Sequence, residues 1–171
     1  MVAQVPTISG YEQGLRRIPP DGVAALEAAL NDDERAQARG EPPRLQAIVS
    51  KDAGVAAAYR AQDAIDFYLQ PLGPDAKWEN VVTMRSTRLA RIYEPGVWAS
   101  RIGPTPLLMI VATNDTITLT DLALEAYERA HEPKKLVLIP GGHFDPYLAS
   151  FDVSCSAALK WFQEHLVPVG K

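Results

Sequence analysis

The chain has 171 residues, a length that suits one ordinary domain with its own hydrophobic core. Apolar residues make up 47% and charged residues 22%, a balance that is typical of soluble globular proteins and excludes the disordered and fibrous classes. The net charge of -4 argues against a general nucleic-acid surface, because phosphate binding needs clustered lysine and arginine. We therefore expect a single globular domain without nucleic-acid partners.

The single cysteine, Cys155, excludes an internal disulfide framework and fits a reducing compartment. The first ten residues show no basic segment followed by a long apolar stretch, and the strongest apolar run, residues 106–112, is too short to span a bilayer. No H-x-x-E-H, C-x-x-C or H-x-H spacing occurs, so we expect neither a metal site nor a cofactor. These features predict a cytoplasmic protein without membrane insertion.

The elements predicted along the chain fall into three regions, of which the first two contain little sheet. Residues 1 to about 10 form a short strand that ends at Pro6, after which the chain turns. Residues 11–104 are rich in alanine, arginine, glutamate and paired prolines, so we predict a mostly helical region. Its three predicted helices cover residues 22–38, with Asp21 as the cap, 53–70 and 78–93.

The last region alternates strands with helices. Leu107 to Val111 is a continuous apolar run, which is typical of a strand covered on both faces in a parallel sheet. Apolar periodicity predicts a helix over about 120–130, a second buried strand over 136–139 and a closing helix near 156–166. This βαβα order implies right-handed crossovers, so the predicted fold class is α/β with about three parallel strands.

Polar residues follow both predicted strands of this region. Asp115 follows the first, in PLLMIVATND, and His143 follows the second, in LVLIPGGH. The carboxyl ends of parallel strands meet at one edge of the sheet, where an aspartate can orient a histidine that acts as a base, as in nucleophile-His-acid triads. The alternative is a loop histidine and a helix-capping aspartate with no shared role. Asp145 precedes Pro146, a pattern that predicts a helix cap rather than a catalytic group.

The nucleophile of such a triad has no strong candidate in the sequence. In the fold that uses this order it lies upstream, on a strand-to-helix turn of the form G-x-S-x-G, and residues 1–171 contain no such turn. Ser9 lacks the flanking glycines, and Cys155 stands between two serines at a predicted helix start, where small residues are ordinary. From the residues alone, Asp115 and His143 are therefore candidates for an acid and a base, and no nucleophile is named.

The segment TPLLMIVATNDTITLTDLALEAYERAHEPKKLVLIPGGHFDPY, residues 105–147, resembles the carboxyl-terminal part of an α/β-hydrolase. The group that it resembles is dienelactone hydrolase-like and includes the fungal polyketide transferase family. The resemblance implies that Asp115 is the acid, that His143 is the base, that residues 2–6 are the strand after the nucleophile helix, and that residues 11–104 form a helical cap. It further implies hydrolysis or acyl transfer on a small-molecule ester, thioester or amide.

The chain departs from this family in one large respect. No part of residues 1–171 corresponds to the family's amino-terminal half, which contains several strands, the oxyanion loop and the nucleophile elbow. We therefore expect residues 1–171 to form one incomplete α/β-hydrolase domain, with 11–104 as the cap and 105–171 as a βαβα unit. Such a chain should be inactive alone and should self-associate through an exposed sheet edge. Two alternatives stay open: a non-catalytic remnant that binds a ligand or partner, and a self-contained domain that recruits Ser9 or Cys155.

Overall fold

The structure, a computed structural model, describes residues 1–166. It divides into two compact units, one made of Met1–Gln13 with Glu94–Lys171 and the other of Gly14–Tyr93. The elements in chain order are β1 (Val2–Gln4), α1 (Gly10–Arg17), α2 (Pro20–Ala38), β2 (Leu45–Val49), β3 (Ala57–Tyr59), α3 (Gln62–Tyr68), β4 (Val82–Thr83), α4 (Met84–Arg91), a 3-10 helix (Pro95–Arg101), β5 (Leu107–Ala112), α5 (Thr120–Arg129), β6 (Lys134–Ile139), a 3-10 helix (Asp145–Tyr147) and α6 (Phe151–Leu166). The predicted cap, residues 11–104, includes the whole second unit, and its role as a cap stays a prediction.

The first unit is built on a parallel sheet with the strand order β1-β5-β6. The register places Ala3 beside Met109, and Met109 beside Leu136. Every residue of the central strand β5 is buried, because α5 packs on one face of the sheet and α6, through Trp161, packs on the other. The predicted α/β class with three parallel strands is confirmed.

Two elements of the first unit differ from their predicted form. Strand β6 begins two residues earlier than predicted and is only partly buried, with Leu138 51% exposed, because it is an outer strand of the sheet. The closing helix α6 begins at Phe151 rather than near residue 156. The start of α6 could not be predicted, because its first turns contain serine, cysteine and aspartate, and such residues are also common in loops.

In the second unit, α2 confirms the first predicted helix, but it begins at Pro20, so Asp21 lies in its first turn rather than at its cap. The other two predicted helices are wrong in their first halves. Strand β3 pairs in parallel with β2, and β4 pairs antiparallel with it, giving the order β3-β2-β4. The alanines of β3 favour a helix locally, but pairing with β2 satisfies the backbone groups of this segment and overrides that preference. Val82 and Thr83 of β4 are β-branched and favour a strand by themselves.

Candidate active site

Neighbouring parallel strands deliver Asp115 and His143 to the same edge of the sheet. Asp115 lies in the loop after β5, and His143 lies in the loop after β6, which pairs with β5 along its whole length. The pairing continues beyond the strand ends, because the backbone N–H of Asn114 donates to the carbonyl of Gly141 at 2.9 Å. The two loops are therefore hydrogen-bonded to each other one residue before Asp115 and two residues before His143.

The Asp115 carboxylate is buried and hydrogen-bonded to the imidazole of His143. The distance from Oδ2 to Nδ1 is 2.8 Å, and the two side chains are 2% and 14% exposed, respectively. Oδ1 accepts from the backbone N–H groups of Ile117 and Thr118, each at 2.8 Å, and the Thr118 hydroxyl donates to Oδ2 at 2.7 Å. These donors satisfy a buried negative charge. Because Nδ1 is engaged, Nε2 is the ring nitrogen left to act as a base.

The pKa of Asp115 lies below its ordinary value. Burial raises this pKa, but the hydrogen bond and charge of His143, together with the hydrogen bonds from Thr118, lower it by more. The carboxylate is therefore ionised at neutral pH. An ionised carboxylate beside a neutral imidazole holds the imidazole proton on Nδ1. It also stabilises the imidazolium ion that forms when Nε2 takes up a proton.

We expect Asp115 to stabilise the folded chain at neutral pH and to lose this effect in acid. Its folded pKa is lower than the ordinary 3.8, so the unfolded chain binds this proton more readily, and stability falls as the pH drops from about 4 through the folded pKa. The free energy of unfolding, measured with urea at pH values from about 2 to 7, should depend less steeply on pH below 3.8 in Asp115→Asn than in the wild type. Equal slopes would contradict this prediction.

The loop before His143 is a tight turn that requires glycine. Gly141 has φ +112°, a conformation that side chains disfavour. Asp145 Oδ2 accepts from the backbone N–H of Gly142 at 2.7 Å, which closes the turn. The prediction that Asp145 caps a helix is wrong: it is the first residue of the 3-10 helix after Phe144, and its carboxylate holds the preceding loop instead.

Gly141→Ala is expected to destabilise the protein and to displace His143. A Cβ atom at this position would lie 2.0 Å from Asp145 Oδ2, in addition to the strain of the positive φ. Gly40→Ala is the matched control, because Gly40 has φ +90° but open space around it. The control should lose about 1–2 kcal/mol of unfolding free energy, and Gly141→Ala should lose more. Equal losses in urea unfolding would show that the contact with Asp145 relaxes without effect.

Two aromatic side chains flank the imidazole. The rings of His143 and Phe144 meet edge to face with centroids 4.8 Å apart, and the Tyr147 ring is tilted at 6.4 Å. Burial raises the pKa of Tyr147, a hydrogen bond with Gln4 lowers it, and the charge of Asp115 raises it, with a net increase. The phenol is therefore protonated at neutral pH. Phe144 and Tyr147 both belong to the GGHFDPY motif, but neither was predicted from the sequence to have a role in the site.

The two alternative nucleophiles have other environments. The Ser9 hydroxyl donates to Glu94 Oε1 at 3.0 Å and accepts from the backbone N–H of Glu12 at 3.0 Å, so this side chain caps α1. Cys155 is exposed on α6, in the second turn of the helix rather than at its start. Neither arrangement resembles a hydroxyl or thiol that is activated by a neighbouring base.

Within residues 1–166, no group of three or more histidine, cysteine, aspartate or glutamate side chains is arranged to hold a metal ion. None of the helices in this part of the chain combines the length and the apolar character needed to cross a membrane.

The chain was compared with known protein families, curated proteins and solved structures. No family model matches the chain. A polyketide transferase from Gibberella fujikuroi is 27% identical over 167 residues, which are 97% of this chain and 50% of that protein. Two solved structures match 96% of this chain with a TM-score of 0.71: the α/β-hydrolase GrgF from Penicillium sp. sh18, at 20% identity over 54% of its chain, and DcsB in complex with its substrate analogue, at 19% identity over 56%.

The chain has a partial α/β-hydrolase fold. It spans about half the length of the relatives that it matches. The predicted resemblance to the polyketide transferase-like α/β-hydrolases is thereby confirmed. In the α/β-hydrolase fold the acid precedes the histidine along the chain, which is the order of Asp115 and His143 here. Their roles as acid and base stay a prediction, and the short hydrogen bond between them supports it.

Thr118, whose hydroxyl also contacts this pair, was not predicted from the sequence. A threonine three residues after an aspartate is a common loop pattern, and its meaning depends on where the loop folds back. The hydrogen bonds from the backbone of residues 117 and 118 to Asp115 Oδ1 show that the loop wraps around the carboxylate. A D-x-x-T pattern directly after a buried strand is the signal that could have identified this residue.

Proposed function

We propose that this chain carries the acid and base of a hydrolase or acyl transferase that acts on a small-molecule ester, thioester or amide. The observation that carries the proposal is the 2.8 Å hydrogen bond between buried Asp115 and His143 at the ends of neighbouring parallel strands. In this reaction, Nε2 of His143 removes the proton from the attacking hydroxyl and returns it to the leaving group. Asp115 stabilises the positive charge that His143 holds between these two steps.

The nucleophile in this proposal comes from residues outside the present sequence. No G-x-S-x-G turn occurs in residues 1–171, and the hydroxyl of Ser9 is used as a helix cap. That turn would also supply one of the backbone N–H groups of the oxyanion hole. Because removal of a nucleophile or base lowers kcat by about 10⁶-fold in a serine hydrolase, the 171 residues alone are proposed to be inactive.

The acyl acceptor in the second half-reaction is water in a hydrolase and another nucleophile in a transferase. The relative from Gibberella fujikuroi is named a polyketide transferase, which supports acyl transfer. Proton transfer by the base and stabilisation by the acid are the same whether the acyl group passes to water or to another hydroxyl. Asp115 and His143 could therefore take part in either reaction. The acceptor is proposed to depend on the remainder of the pocket.

Co-expression with an amino-terminal α/β-hydrolase fragment that carries a G-x-S-x-G turn tests the proposal; we call the resulting pair the reconstituted hydrolase. We expect hydrolysis of a p-nitrophenyl ester by the pair and by neither part alone. His143→Ala should abolish the activity, whereas His131→Ala, which changes an exposed histidine, should preserve it. A pair that co-purifies and stays inactive, or that keeps its activity in His143→Ala, would refute the proposal.

The second candidate is a non-catalytic protein that binds a ligand or partner at the same sheet edge. The lack of a G-x-S-x-G turn is the observation that favours it. This candidate predicts that acyl ligands bind to the reconstituted pair, as measured by calorimetry, but are not turned over.

A further inference from the structure

The Thr118 hydroxyl lies where the acid, the base and the first strand meet. Its oxygen is 2.7 Å from Asp115 Oδ2, 3.3 Å from His143 Nδ1 and 3.3 Å from the carbonyl oxygen of Val5. Thr118 is 7% exposed, so water does not compete for these contacts. A hydroxyl has a single proton, and the charged acceptor at the shortest distance receives it. The hydroxyl therefore donates to Asp115.

This hydrogen bond makes Oδ2 of Asp115 an acceptor for two donors. The Thr118 hydroxyl and the Nδ1–H of His143 approach the same oxygen at 2.7 and 2.8 Å. The other carboxylate oxygen is held separately by backbone N–H groups. Loss of the hydroxyl would thus leave the carboxylate in place. The Nδ1–H of His143 would then be the one remaining side-chain donor of these two to Oδ2, and its hydrogen bond would become stronger.

The surrounding backbone holds Thr118 in position. Val5 is buried and has φ +37°, which is rare for a β-branched residue, and this conformation occurs where β1 ends against Thr118. The buried amide of Gln13 donates to the Thr118 carbonyl at 3.3 Å. Strained backbone persists where its surroundings over-determine it, and such strain is concentrated at functional sites.

We propose that Thr118 is a positioning residue of the Asp115–His143 pair, whose hydroxyl divides the hydrogen-bonding capacity of Oδ2 between two donors. It thereby limits how strongly the carboxylate attracts the imidazole proton. The inference rests on the proposed function, because it describes how the base of that reaction is adjusted. It concerns the pair itself, so it can be measured without substrate.

The test uses the full chain, labelled with ¹⁵N and ¹³C, and three variants. Thr118→Val removes the hydroxyl and keeps the volume, whereas Thr118→Ser keeps the hydroxyl. Thr116→Val is the matched control, because Thr116 is an exposed residue of the same loop. Nuclear magnetic resonance follows the Nδ1–H signal of His143 and the titration of the Asp115 carboxyl carbon. His143 and Tyr147, the titratable groups beside this carboxylate, are followed in the same samples.

In Thr118→Val we expect the Nδ1–H signal to move downfield and the pKa of Asp115 to rise, because Oδ2 has lost a donor. Thr118→Ser should restore both values, and Thr116→Val should change neither. An Nδ1–H signal that keeps its wild-type position in Thr118→Val, or moves upfield, would overturn the proposal.

A measurement on the wild-type chain tests the proposal even if Thr118→Val does not fold. The hydroxyl proton of Thr118 should exchange slowly with water and show a cross-peak to the Nδ1–H of His143, and the lack of this cross-peak would overturn the proposal. Failure of the reconstituted hydrolase would instead refute the proposed function, while these signals would still report the hydrogen bonding of Thr118.

Discussion

Replacing Asp115 by asparagine is expected to lower kcat of the reconstituted hydrolase by about 10⁴-fold while the chain stays folded. The amide oxygen can still accept from the backbone N–H groups that now bind Oδ1. The amide nitrogen then replaces Oδ2 and faces Nδ1 of His143, at the 2.8 Å position of the present hydrogen bond. Because this nitrogen can only donate, the imidazole must accept at Nδ1 and carry its proton on Nε2, where it cannot act as a base.

Initial rates of ester hydrolysis at saturating substrate measure this effect. Asp152→Asn, which changes an exposed aspartate of α6, is the control and should keep wild-type kcat. In the 171-residue chain alone, ¹⁵N chemical shifts of His143 should show the proton on Nδ1 in the wild type and on Nε2 in Asp115→Asn. A kcat within about tenfold of the wild type would contradict the role of Asp115.

Self-association of the chain is the second large effect that we predict. In the described part of the first unit, β1 lies at an edge of the sheet with β5 as its neighbour, so its other side offers unpaired backbone groups. Helix α6 adds a row of apolar side chains at helical spacing that are between 40% and 69% exposed: Phe151, Leu159, Phe162 and Leu166. Exposed apolar side chains on one helix are expected to favour association when they lie close together.

Analytical ultracentrifugation over a range of concentrations tests this prediction. Combining Leu159→Lys with Phe162→Glu should weaken association by about 100-fold, since each side chain contributes about 1.5 kcal/mol on burial. Exchanging Lys160 for glutamine, on the same helix but outside the apolar row, is the control. A wild-type chain that is monomeric at every concentration would contradict the prediction.

The sequence was sufficient to predict the part of the fold on which the site depends. A continuous apolar run predicts a buried strand over 107–111 whatever its neighbours are, and the structure has a strand at Leu107–Ala112. Once two such strands are parallel and adjacent, the residues after them must share a sheet edge, so the proximity of Asp115 and His143 followed from topology.

Features that depend on distant partners could not be predicted. Residues 57–59 are a strand because β2 lies beside them, and their alanines alone favour a helix. The contact between the Thr118 hydroxyl and the carbonyl of Val5, 113 residues away in sequence, also depends on where β1 ends in the fold. Asp145 likewise resembles a cap in sequence, and its bond to Gly142 depends on the positive φ of the turn before it.

The central claim is that His143, oriented by Asp115, is the base that activates an external nucleophile. The rate at which a serine-reactive fluorophosphonate probe labels the amino-terminal fragment tests this most directly, because labelling requires the activated hydroxyl but no turnover. We predict fast labelling in the presence of the wild-type chain and a rate lower by at least about 10³-fold with His143→Ala. Equal labelling rates with the wild-type chain and with His143→Ala would contradict the claim.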